Sequence, residues 1–294
     1  MKTYVPSYYK DFSCIADKCR HSCCIGWEID IDKKTLYEYS KIGGDFGKRL
    51  KENITLYETP HFILTDGERC PFLDECGLCD IYKELGEDAL CDICTDHPRY
   101  RNFYPDREEM GLGLCCEEAA RLILSQKEPF TLEVLEDDGE VVIDNDTFIN
   151  ERQKIFAILS DKTKPFSERI KDLGVMLPQK SFNEWLDIYL SLEILDPEWK
   201  KLLLSLKGKK PENLIDEYQN ELENLLTYFV FRHLKDGEFS QRLAFCTHLA
   251  LMIADIFSFS QGTFEELCDI ARMASSEIEY SEDNTDELIF FMSI

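Results

Sequence analysis

Basic residues are scarce in this sequence. Its 33 lysines and arginines face 58 aspartates and glutamates, a formal net charge of −25 over 294 residues. A surface that negative repels phosphate backbones and argues against nucleic acid as a partner. Long apolar runs are missing too, so no segment predicts a membrane span. The best candidate, Leu243–Phe257, is interrupted by Thr247, His248 and Asp255 and reads as a buried helix. No apolar leader follows Met1–Lys2, because Tyr8, Tyr9, Lys10 and Asp11 come next. These absences predict a cytoplasmic protein, in which thiols stay reduced. There is no internal repeat and no low-complexity run. No G-x-G-x-x-G follows a predicted strand, and no doubly wound pattern offers the usual nucleoside site.

Cysteine, by contrast, is abundant, and in a reducing compartment it needs an explanation other than disulfides. Of the thirteen, eleven lie between Cys14 and Cys116, and only Cys246 and Cys268 lie beyond. The first group is Cys14-x4-Cys19-x3-Cys23-Cys24. The second is Cys70-x5-Cys76-x2-Cys79-x11-Cys91-x2-Cys94, and the third is the adjacent pair Cys115–Cys116. Burial alone would not concentrate eleven thiols in this way. Thiolates are soft ligands that suit zinc and iron–sulfur clusters rather than magnesium or calcium. The paired C-x2-C spacings imitate a zinc ribbon, but the gap between them is shorter than the usual ~15–20 residues. Spacing therefore leaves zinc and iron–sulfur open. Cys246 and Cys268 sit on apolar helical faces and read as small buried hydrophobes.

The same asymmetry divides the chain. Hydrophobic residues at 44% and charged residues at 31% describe a globular protein. The expected fold is mainly α: a cysteine-rich N-terminal metal-binding part with short hairpins over residues 1–127, a hairpin or linker over 128–145, and an all-α bundle over 146–294. Asp66–Gly67 predicts one hairpin, between Phe62–Leu64 and Cys70–Leu73. Asp137, Asp138 and Gly139 predict another, between Thr131–Leu135 and Glu140–Ile143. Helix starts are expected at Lys33 and Cys116. Later starts are signalled by Ser181 with Glu184, by Asp196–Pro197 and by Thr263 with Glu266. Tyr218, Leu222, Leu225, Leu226 and Phe229 fall on one helical face. The bundle should hold six or seven helices.

Other residues carry two readings each. His21 and His97 stand beside the cysteines and could ligate metal, or be surface or supporting groups. His61, His233 and His248 read as structural. Trp27 should pack over the first cysteine group. Arg99, after Pro98, could hold a carboxylate. Asp30 and Asp32 could bind a lysine ammonium, or be a solvated pair.

Several motifs carry a resemblance. FSCIADKCRHSCCIGW at Phe12–Trp27 resembles the opening motif of the flagellin lysine N-methylase family. So do RCPFL at Arg69–Leu73, GLCDIYKELGEDALCDIC at Gly77–Cys94, HPR at His97–Arg99, GLCCEEAARLIL at Gly113–Leu124 and SSEIEYSEDNTDEL at Ser275–Leu288. The N-terminal part is also similar to the wider family of small zinc- or iron-chelating CxxCxxCC domains. The methylase resemblance implies an iron–sulfur cluster, a 4Fe-4S cluster with zinc as the alternative. It also implies S-adenosylmethionine as methyl donor and a protein substrate with an exposed lysine, flagellin before its export. As metal ligands it picks out Cys14, Cys19, Cys23, Cys24, Cys70, Cys79, Cys94 and Cys116. Cys76 and Cys91 fall at positions expected to vary in that family, and Cys115 at one expected to hold a small polar residue. It points to no catalytic residue and no donor-binding residue. The C-x3-C-x2-C spacing of most enzymes that cleave S-adenosylmethionine at a cluster is absent. An iron with an open position could instead hold the donor's amino and carboxylate groups. Two other functions remain open on the residues alone: a non-catalytic zinc-binding module that grips a partner protein, and a redox or metal-handling iron–sulfur protein.

Overall fold

The structure, a computed structural model, describes residues 1–139 and 147–293. Strand β1 (Lys2–Pro6) is followed by helices α1 (Lys33–Lys41) and α2 (Gly44–Glu52) and by strands β2 (Ile54–Thr55) and β3 (His61–Phe62). Helices α3 (Asp80–Leu85) and α4 (Asp92–Asp96), strands β4 (Arg99–Phe103) and β5 (Arg107–Leu112), α5 (Glu117–Leu124) and β6 (Leu132–Asp137) come next. Eight helices complete the described chain: α6 (Thr147–Leu159), α7 (Phe166–Asp172), α8 (Phe182–Ser191), α9 (Pro197–Leu206), α10 (Gln219–His233), α11 (Phe239–Phe257), α12 (Phe264–Ile278) and α13 (Glu282–Phe291). The fold is mainly helical with a small sheet, and the later part holds one or two helices more than expected. None of the described helices is long and apolar enough to cross a membrane.

The chain folds as two compact units, Ser13–Arg99 and Met1–Phe12 together with Tyr100–Ile294. This differs from the expected break at 128–145. The reason is strand pairing. β1 lies parallel to β5, with Lys2 opposite Arg107 and Tyr4 opposite Glu109, and antiparallel to β6, with Pro6 opposite Leu132. The sheet order β4-β5-β1-β6 ties the first residues to segments a hundred positions later. Ser13–Arg99 is therefore an insertion between β1 and β4 of one sheet, and residues 100–127 belong with the helices.

β6 spends its hydrogen bonds on β1; Glu140–Ile143, the expected partner, lies outside the described residues. The other expected hairpin is shorter than foreseen. Around Gly67, whose φ of +74° suits glycine, Thr65 and Arg69 exchange backbone hydrogen bonds, while β3 pairs with β2.

In the larger unit α10 and α11 form the centre. Leu225, Leu226, Phe229, Val230, Phe231, Phe245, Cys246, Leu249 and Ile253 are wholly buried. Apolar residues surround these helices on most sides, as befits helices enclosed by neighbours. The local start signals hold: Ser181 with Glu184 and Thr263 with Glu266 form complete capping boxes, and Asp196 caps α9 ahead of Pro197.

One polar residue fits this core poorly. The Asp255 carboxyl on α11 is half-buried and has no hydrogen-bond partner for its side chain among the described residues, and burial pushes its pKa up to about 6. The folded state thus prefers the proton, a preference whose benefit is lost as pH rises through about 6. Asp255→Asn should stabilise the protein by about 1–2 kcal/mol at neutral pH, after allowance for partial exposure. Urea unfolding at pH 7.5 and pH 5.5 should show the gain at the higher pH and its decline at the lower.

Candidate metal centre

The unit Ser13–Arg99 has its own core, and cysteines are part of it. Ile29, Ile31, Tyr39, Leu50, Phe62, Phe72 and Ile81 are buried together with Cys70 and Cys91, and Cys24, Cys79 and Cys94 pack against them. Backbone bonds set these positions. The Cys70 amide donates to the Cys24 carbonyl at 2.8 Å, which holds the two motifs side by side. Cys79 is the N-cap of α3 and Cys91 that of α4, and the Cys94 amide donates to the Cys91 carbonyl at 2.9 Å. Arg49 on α2 reaches Asp80 and the Pro71 carbonyl, fixing the Arg69–Leu73 segment to α3. Gly47 makes the turn into α2 possible, since a Cβ there would lie 2.1 Å from the Ile42 carbonyl oxygen. Asp32 caps α1 through the Thr35 amide and also accepts from the Asp92 amide. Its carboxylate therefore ties the starts of α1 and α4 together.

The five thiols Cys24, Cys70, Cys79, Cys91 and Cys94 lie close enough to feel one another's charge. Hydrogen bonding and burial raise the Cys94 pKa, and the same hydrogen bonding lowers that of Cys91. The Tyr39 hydroxyl donates to the Ala89 carbonyl at 2.7 Å and stands 3.7 Å from the Cys91 sulfur. A hydrogen bond from Cys23 brings Cys24 down to about 7. Burial pushes Cys70 up to about 12, and neighbouring thiolates add to the rise. Crowded thiols that cannot all ionise are what a soft cation would relieve, and this donor set suits zinc or an iron–sulfur cluster. Among the described residues, however, no three His, Cys, Asp or Glu side chains are already closed to ligating geometry. The donors share one core without a closed set of ligands among the described residues.

Of the eight cysteines singled out by resemblance, this core brings together Cys24, Cys70, Cys79 and Cys94. Cys14, Cys19 and Cys23 lie on the surface segment that leads into Cys24. Cys116 belongs to the other unit, as the N-cap of α5. Cys91, set aside as variable, is 1% exposed inside the cluster. Its C-x2-C spacing with Cys94 was the signal for it. Cys76 is exposed on the turn that Asp74 holds through the Cys76 and Leu78 amides. Trp27 packs on the core and donates to the Cys23 carbonyl at 2.8 Å. His97 is half-buried, and burial lowers its pKa to about 4, which keeps the ring neutral. His21 is exposed. Arg99 donates to the Thr95 carbonyl.

In the larger unit Cys246 and Cys268 are buried on α11 and α12, and the Cys246 thiol donates to the Phe229 carbonyl. The Ser275–Leu288 motif builds a buried polar network. Glu279 accepts from Tyr228, Arg232, His233 and Ser275. Against the cost of burial, Arg232 and His233 hold its carboxyl below the ordinary range. Glu277 takes the Leu195 and Asp196 amides at the entry to α9. The motif joins helices in this unit.

Comparison with known proteins places relatives beside this geometry. Lysine-N-methylases from Salmonella choleraesuis (strain SC-B67) and Salmonella typhimurium (strain LT2) are each 34% identical over 135 residues, 43% of this chain and 33% of the relative. The flagellar biosynthetic protein FliU of Salmonella muenchen is 33% identical over 135 residues, 43% of this chain and 79% of FliU. The match thus spans about a third of the length of the two methylases. No family model matches the chain, and no solved structure does.

Proposed function

The chain belongs to the flagellin lysine N-methylase family, and we propose that it methylates lysine side chains of a flagellin-type protein with S-adenosylmethionine as donor. The observation that carries the reading is the likeness to the methylases and to FliU in a chain five of whose cysteines gather in one core. The lysine nitrogen must first lose its proton, to a nearby base or in a dry pocket. It then displaces the thioether from the methyl carbon: an N–C bond forms, the S–C bond breaks, and the electron pair leaves with sulfur. Cys24, Cys70, Cys79 and Cys94 would hold the metal group, with Cys91 beside them. An iron–sulfur cluster is favoured by the resemblance, and zinc is the alternative. Such a group would supply a Lewis-acidic or redox-capable centre. The excess of acidic residues suits a cationic lysine, though salt screens exposed charge over ~8 Å.

Mass spectrometry of flagellin and total protein from cells with and without the gene tests this. Methyl-sized mass steps on lysine should vanish from one protein when the gene is removed. No change on any lysine, together with failure of the anaerobically purified protein to consume S-adenosylmethionine, would instead favour the binding-module reading.

A further inference from the structure

Arg272 on α12 is a guanidinium without a partner. It is 8% exposed, its Nε has no hydrogen bond, and no carboxylate among the described residues stands within ion-pair distance of it. A buried arginine is ordinarily paired, because desolvating its charge is costly. Other buried arginines of this unit follow that rule: Arg152 holds Glu109, Arg169 holds Glu223 and Arg232 holds Glu279.

The surroundings of Arg272 say what it faces. α12 packs along α5, and the guanidinium feels the charges of Asp269, Asp196 and, at the start of α5, Glu117. The N-cap of α5 is Cys116, whose side chain makes no capping hydrogen bond. β5 runs into this helix through Gly113–Cys116, with the Leu114 amide donating to the Tyr228 hydroxyl. Tyr280, 48% exposed, lies close to the Cys115 thiol. A buried unpaired cation and the positive end of a helix therefore face the same ground. The acids around Arg272 complete the chemistry. They disfavour a bare phosphate or sulfate and suit a carboxylate that brings positive charge with it.

We propose that Arg272 and the N-terminus of α5 bind the carboxylate of an α-amino acid, and that this is the methionyl end of the methyl donor. The identity of the ligand rests on the methyl-transfer reading; the carboxylate site does not. Arg272 would be a donor-binding residue, making two parallel N–H···O bonds to the carboxylate. Keeping it unpaired costs the free protein stability, so Arg272→Met should fold and melt no lower than the natural chain.

Binding is measured by calorimetry on anaerobically purified full-length protein, with three probes. S-adenosylhomocysteine carries the amino-acid end, 5′-deoxy-5′-methylthioadenosine lacks it, and L-methionine is that end with no nucleoside. Arg272→Met should weaken S-adenosylhomocysteine about ten- to a hundredfold and leave methylthioadenosine unchanged, with Arg272→Lys in between. Unchanged S-adenosylhomocysteine affinity in Arg272→Met would overturn the site, as would equal weakening of both nucleosides. So would a natural chain that binds neither S-adenosylhomocysteine nor L-methionine. Arg272-dependent binding of L-methionine alone would keep the carboxylate site and remove the methyl donor as its ligand. Lysine methylation that persists in Arg272→Met with unchanged donor affinity would keep the enzyme and refute the site.

Discussion

Serine in place of Cys79, Cys91 or Cys94 should strip the protein of metal, whereas Cys246→Ser should leave its metal content unchanged. The three positions share one core with Cys24 and Cys70, close enough for each sulfur to disturb its neighbours' protons. A hydroxyl is a poor ligand for a soft metal, so one replacement should break the set. Cys246 is as buried as Cys91 but donates its thiol to the Phe229 carbonyl within α-helical packing. If the thiols were only small core residues, serine at Cys91 and at Cys246 would each cost about 1–3 kcal/mol and behave alike. If they ligate, the difference is large, because metal binding in such sites supplies about 10–16 kcal/mol that is also folding free energy. Iron and zinc per chain, measured after anaerobic purification, give the answer, and a visible absorbance band separates the cluster from zinc. Less than half an equivalent of iron plus zinc in the natural chain would end the thiolate-metal reading. Equal loss from Cys246→Ser would mean that metal content follows misfolding. Cys91→Ser is the most informative of the four, since resemblance sets that position aside and packing includes it.

What could be read in advance depended on how far each signal reaches along the chain. Helix starts are local. Ser181 with Glu184 and Thr263 with Glu266 need only four residues to satisfy amide groups, and both caps form as their spacing predicts. The Cys246 and Cys268 assignments were likewise readable from helical period, because an apolar face states its own burial. Strand pairing is not local. Nothing within Lys2–Pro6 says that its partner begins at Arg107, and the pairing moves the unit boundary to Ser13 and Arg99. The same limit explains β3. Asp66–Gly67 does turn the chain, but Phe62 finds Ile54 on its other side.

The candidate site divides along the same line. Its residue type and rough location were plain from the spacing of thiols. Membership was not, because Cys91 and Cys76 look alike in sequence and differ only in whether the chain folds inward. Cys91 follows a short turn that brings its sulfur to Tyr39, while Cys76 sits on the outside of a turn held by Asp74. Tyr39 itself could not have been singled out: its partner, Ala89, lies fifty residues away. Arg272 was equally silent, since an arginine in an amphipathic helix gives no sign that it is buried and unpaired.

Breaking the ion pair between Glu109 and Arg152 should destabilise the larger unit more than any other single charge removal in it. Both side chains are 0% exposed. One guanidinium nitrogen, Nη2, donates to both carboxylate oxygens, at 2.5 and 2.7 Å, and Nη1 donates to the Tyr104 hydroxyl at 2.8 Å. The rings of Tyr104, Phe156 and Phe231 surround the guanidinium. Glu109 lies on β5 opposite Tyr4 of β1, and Arg152 lies on α6, so the pair fastens the sheet to the helical layer. Glu109→Gln leaves a buried cation uncompensated, and Arg152→Met leaves a buried anion. Each should cost about 3–5 kcal/mol, a large share of the roughly 5–15 kcal/mol that holds a domain together. The double variant Glu109→Leu/Arg152→Met removes both charges and keeps apolar bulk among the aromatic rings. It should recover most of the loss, because the penalty lies in stranding one charge rather than in losing the attraction. Urea melts of the two singles and the double form the cycle. If the double costs as much as the two singles added together, the charges are not coupled, and the pair does not fasten β5 to α6.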